Sequence, residues 1–94
     1  MTEFEDDDAG YMAWVKAYPD GLVLNVRRKP DPTYVVLHRA SCGYISTERH
    51  KAGAYTGRGY RKICSHSMAE LRNAARREGN HDGSFSNICN CYGK

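Results

Sequence analysis

Apolar and polar positions alternate most cleanly over Leu22-Val-Leu-Asn-Val-Arg27. Leu22, Leu24 and Val26 face one way there and Val23, Asn25 and Arg27 the other, the period-two pattern of a strand. A second strand is expected over Tyr34 to Arg39. Between the two lies Lys29-Pro-Asp-Pro-Thr33, whose prolines forbid helix and set a stiff loop, so the strands should pair antiparallel. Tyr60-Arg-Lys-Ile-Cys64 predicts a further strand, and Gly43-Tyr-Ile-Ser46 a continuation of the second. The period changes after Ser67: Met68, Leu71, Ala74 and Ala75 form one stripe at three-and-four spacing. Ser67-Met-Ala-Glu70 fits a capping box at the start of that helix, and Gly79 stands where a C-cap glycine belongs.

The remaining segments are connections. Tyr18-Pro-Asp-Gly21 reads as a turn and residues 47–59 as a long polar, glycine-rich loop. Met12, Trp14 and Val15 fit a short helix or a strand equally well. The expected fold is α+β: a small twisted antiparallel sheet of three to four strands packed against one main C-terminal helix.

With 94 residues and 40% apolar composition the core is small, so a metal or disulfide staple would add much to its stability. Residues 1–10 hold Glu3, Glu5, Asp6, Asp7 and Asp8 and no lysine or arginine, which predicts a disordered acidic arm ahead of a single domain over 11–94. Residues 11–94 then carry six acids against 14 lysines and arginines, a balance that attracts polyanions. The acidic N-terminus lacks the pattern of a signal peptide, and no apolar run is long enough to span a membrane, so a cytoplasmic location is expected.

Four cysteines in a reducing compartment favour metal over disulfides. Cys42, Cys64, Cys89 and Cys91 lie at the ends of three expected elements, and four converging thiolates would complete a tetrahedral zinc site. His38, four residues before Cys42, is an alternative ligand. His38 is also explained as a hydrogen-bonded core residue, and the cysteines as one or two disulfides or as idle thiols. His50 and His81 lie in polar loops, and His66 belongs to the entry turn of the helix.

Arg27-Arg28-Lys29 forms one basic cluster. A second, Arg49 to Lys62, interleaves cations with Tyr55, Tyr60 and glycines. Cations that neutralise phosphates beside tyrosines that stack on bases compose a nucleic-acid surface, with Arg27, Arg28, Arg39, Arg58, Tyr60, Arg61 and Lys62 as its expected DNA or RNA contacts. The acidic arm would shield that face or meet a protein partner. Such a protein partner is the competing reading: an interaction module with no nucleic-acid role. A metal-dependent nuclease is a third: Tyr34, Gly43-Tyr-Ile45, Arg49 and Glu70 follow, loosely, the order of motifs in GIY-YIG nucleases, although Glu70 is also explained as a capping residue. Carboxylate pairs are scarce after residue 10, and no enzyme is expected.

Leu24-Asn-Val-Arg-Arg28, Tyr34-Val-Val-Leu-His-Arg-Ala-Ser-Cys42 and Tyr60-Arg-Lys-Ile-Cys64 together resemble a family of small bacterial domains of uncharacterised function. That family has an LHRA-x-C strand, a K-x-C strand and a terminal cysteine pair, and the likeness spans about residues 21–91. The pair in the family is more often C-x-x-C, where this chain has Cys89-Asn-Cys91. The resemblance implies that His38, Arg39, Cys42, Cys64, Cys89 and Cys91 act together.

Overall fold

The computed structural model describes residues 1–42 and 59–89. The expected continuation at Gly43–Ser46 and nearly all of the 47–59 loop, with Arg49 and Arg58, lie outside the described residues, as does Cys91. The described chain forms a five-stranded mixed sheet with two helices.

The alternating run becomes β2, Leu22–Arg27, and its partner becomes β3, Val35–Arg39. They pair antiparallel with Val23 opposite His38 and Asn25 opposite Val36. On its other side β2 pairs antiparallel with Tyr60–Ser65, the fourth strand (β4), with Val23 opposite Cys64 and Asn25 opposite Lys62. These three strands stand where the periodicity places them. The helix α2, Met68–Arg77, follows.

Three further elements correct the expected architecture. Thr2–Phe4 is β1, an edge strand antiparallel to β4 with Thr2 opposite Cys64 and Phe4 opposite Lys62. Asp8–Ala17 is a helix, α1. Asn87–Ile88 is β5, parallel to β3, which makes the sheet mixed, in the order β1-β4-β2-β3-β5. The acidic residues are therefore built into the fold rather than forming a disordered arm. Asp7 caps α1, its carboxylate accepting a hydrogen bond from the Gly10 N–H at 2.9 Å, and Asp8 lies in the first turn, where negative charge complements the helix dipole. Glu3 and Asp6 pair with Arg61 and Arg28, each at 2.6 Å.

Neighbouring residues of a strand face opposite sides, so the two core clusters show where the helices sit. Leu24, Val26, Val35, Leu37 and Ile63 pack with Leu71, Ala74 and Ala75 of α2. Val23, Cys64, Ala40 and Cys42 pack with Tyr11 and Val15 of α1 on the other face. Both faces of the central strands are covered, and each fully buried leucine or isoleucine contributes about 1.5–3 kcal/mol.

The ends of α2 show how local chemistry sets its limits. Ser67 Oγ accepts from the Glu70 N–H at 3.2 Å, as a capping box requires. The Glu70 carboxylate instead accepts from Ser65 Oγ at 2.5 Å, and Ser65 Oγ in turn accepts the Ser67 N–H at 2.9 Å. Ser65, the last residue of β4, thus relays the cap. At the other end Gly79 N–H bonds Arg76 O and Asn80 N–H bonds Ala75 O, a Schellman closure. Gly79 has φ +118°, and a Cβ there would lie 3.1 Å from the Pro32 ring, so both conformation and space select glycine.

Candidate metal centre and basic surface

β3 ends at Arg39, and a turn closed by Cys42 N–H donating to Arg39 O at 3.0 Å folds Cys42 back toward His38. The C-terminal segment then runs alongside β3. Ser86 N–H bonds Val35 O at 2.9 Å and Cys89 N–H bonds Leu37 O at 2.8 Å, which brings Cys89 beside His38. One ligand atom from each of His38, Cys42 and Cys89 lies within 4.8 Å of the others, and the group can hold a metal ion.

The chemistry of these donors suits a metal. His38 is 7% exposed, and its Nδ1 is buried without a hydrogen-bond partner among the described residues. A buried ring nitrogen normally has a partner, and a metal ion at this group would serve as one. Burial, and then the positive charge of Lys62, lower the His38 pKa to about 4, so the ring is neutral and its lone pair available near pH 7. The sulfurs of Cys42 and Cys89 are 3.7 Å apart. Two sulfurs on one tetrahedral zinc, each about 2.3 Å from it, stand about 3.8 Å apart. A disulfide would bring them to about 2.05 Å.

Cys64 is not in this group. Val23 is paired with Cys64 on one side and His38 on the other, so two interstrand spacings, roughly 10 Å, separate them. Cys64 is buried in the cluster that holds Tyr11, Val15, Val23, Ala40 and Cys42, and burial pushes its thiol up to about 12. His38, ranked only as an alternative from the sequence, takes a central place. Its four-residue spacing from Cys42 was the available signal.

The cations expected on a nucleic-acid surface divide. Arg27, Arg28 and Arg39 are exposed, and Tyr60 is half-buried. The Arg27 guanidinium lies 4.7 Å from the Tyr34 ring centre and 5.6 Å from that of Tyr60. Arg61 and Lys62 are not surface cations. Arg61 pairs with Glu3 and with the buried Glu78, and donates to Arg27 O. Lys62 is 3% exposed and its ammonium donates to Asn25 Oδ1 at 2.7 Å. β4 is covered on both faces, so either parity of that strand is interior, and its cations point inward. Of the residues matched to the nuclease order, Gly43–Ile45 and Arg49 lie outside the described residues, and Glu70 is bound to Ser65 and to the Met1 amine.

Lys62 and Cys64 make stability depend on alkaline pH. Burial lowers the Lys62 pKa to about 8 from 10.5, so between those values the unfolded chain binds the extra proton and stability rises with pH. Cys64 acts oppositely: above 9 the unfolded thiol loses its proton while the folded one keeps it up to about 12. Urea melts should therefore gain roughly 1 kcal/mol from pH 8 to 9, level off to about 10.5, then fall. The Tyr34 hydroxyl, whose pKa burial raises, adds to the fall. Lys62→Met should remove the rise, and with nothing to offset Cys64 the decline should begin near pH 9. A flat profile from pH 8 to 9 in the unsubstituted protein would contradict the buried charge.

No family model, curated protein or solved structure matches this chain. No helix among the described residues is long and apolar enough to cross a membrane.

Proposed function

We propose that this chain is a small, non-catalytic nucleic-acid-binding module whose fold is fastened by zinc. The observation that carries the reading is the convergence of His38, Cys42 and Cys89 from the end of β3, a turn and the C-terminal segment. His38 and Cys42 are buried, and an ion enclosed by protein in this way suits a structural rather than a catalytic site. Neutral imidazole and two thiolates select zinc over the oxygen-preferring cations. Cys91, two residues beyond Cys89, is the proposed fourth ligand, on the tether length alone. Such a site would hold the tail to the sheet and leave the body free to present a surface.

The surface proposed for nucleic acid is the run Arg27-Arg28-Lys29, all three exposed, at the end of β2. With Arg61 and Lys62 turned inward it is narrower than the sequence suggests, so modest affinity and a modest salt dependence follow. Binding of a labelled oligonucleotide, followed by anisotropy across a salt series, should weaken with a slope of about −2 to −3 on logarithmic axes, close to one unit per contacted phosphate. No binding at low salt would remove the nucleic-acid role. It would leave the competing reading, an interaction module whose partner is a protein.

A further inference from the structure

The basic run borders a groove of about 510 Å³ lined by Arg27, Arg28, Lys29, Pro30, Asp31 and Gly59. We propose that this groove takes one unpaired nucleotide of a single-stranded nucleic acid, with the base against Arg27 and Pro30 and the phosphate on Arg28 and Lys29. The inference rests on the nucleic-acid reading above and narrows it to a site and a strand type.

Shape, stacking and charge each favour that occupant. The groove is shallow and open to solvent, so it suits one unit of a longer polymer lying across the surface rather than an enclosed small molecule. Arg28 N–H donates to Gly59 O at 2.7 Å, which ties the two walls together. Gly59 has φ +88°, and among the described residues nothing lies within 4 Å of where a side chain would stand, which suits close approach to its backbone. The flat Arg27 guanidinium is held over Tyr34 and Tyr60, whose rings are themselves 5.6 Å apart, and its carbonyl is fixed by the Arg61 guanidinium. A guanidinium held in place by aromatic rings is a ready platform for a base face.

Charge completes the picture. Three consecutive cations meet two carboxylates: Asp31, already engaged by the Thr33 N–H, the Thr33 hydroxyl and Arg27, and Asp6, paired with Arg28. Arg28 holds the Asp6 carboxylate at 2.6 Å on the exposed surface, and a phosphate oxygen would take the same place. Duplex DNA hides its base faces in the stack, so only an unpaired base can use the platform.

Anisotropy titrations with a labelled oligothymidylate and with the corresponding duplex test this, alongside Arg27→Lys and Lys29→Gln. Arg27 and Lys29 are exposed, and both variants should keep the far-ultraviolet circular dichroism and cooperative melting of the original protein. The single strand should bind about tenfold tighter than the duplex. Arg27→Lys keeps the charge but loses the planar group, so single-strand affinity should fall about tenfold with the salt slope unchanged. Lys29→Gln should lower the slope by about one unit. Equal affinity for duplex and single strand, or an Arg27→Lys variant that binds as tightly as the original, would overturn the groove proposal while the nucleic-acid reading stands. No binding of either probe at low salt would overturn both.

Discussion

Stripping the proposed zinc from this protein should unfold it or bring it close to unfolding. Structural zinc contributes apparent binding free energies of about 10–16 kcal/mol, and a domain of this size has a total stability of about 5–15 kcal/mol. The local structure explains why so much would rest on one ion. β5 is two residues long, and both Asn87 and Ile88 are exposed, so little apolar burial keeps it in place. The Ser86 bridge to Val35 and the Cys89 hydrogen bond to Leu37 O are among its few ties to the sheet. An ion on His38, Cys42 and Cys89 would convert that weak parallel pairing into a closed loop. Elemental analysis should find close to one zinc per chain, and a strong chelator should lower the melting temperature by tens of degrees. Cys42→Ser and Cys89→Ser should lose the metal. Cys64→Ala, which removes a buried sulfur from an apolar cluster, should keep it and lose only about 1–2 kcal/mol. Zinc near zero in chelator-free preparations, together with unchanged melting after chelation, would remove the clasp.

How far the sequence foretells this arrangement depends on the range over which each signal acts. β2, β3, β4 and α2 are legible because alternation, proline punctuation and helix caps are local. β1 and β5 are not, since strands of three and two residues carry too few positions to show a period. The acid run conceals α1: Asp7 reads as part of a solvated tail until Gly10 is seen to donate to it. The candidate metal centre is half-legible for the same reason. His38 and Cys42 are four residues apart, but the choice between Cys64 and Cys89 depends on strand order. β2 separates Cys64 from His38, and parallel pairing at the opposite edge delivers Cys89. Strand order is a property of the whole chain. The basic surface errs in the opposite direction, because composition counts charges without saying which of them face inward.

Arg61 shows the cost of that distinction. The Arg61 and Glu78 side chains are 11% and 6% exposed, and their ion pair joins β4 to the end of α2. Replacing Arg61 with methionine should destabilise the protein by about 3 kcal/mol, because Glu78 would be left buried without its cation. For a domain near 100 residues that lowers the melting temperature on the order of 15 °C. The exposed Glu3 partner adds little, since surface pairs contribute about 0–1 kcal/mol. Adding Glu78→Gln to the Arg61→Met protein should recover most of the loss, because the remaining amide carries no net charge. Lys29→Met, an equal change of charge on the exposed surface, should stay within about 0.5 kcal/mol. A phosphate-contacting arginine behaves in the reverse way, with stability nearly unchanged and nucleic-acid affinity reduced. Arg61→Met that melts with the original protein but binds oligonucleotide more weakly would return Arg61 to the binding surface.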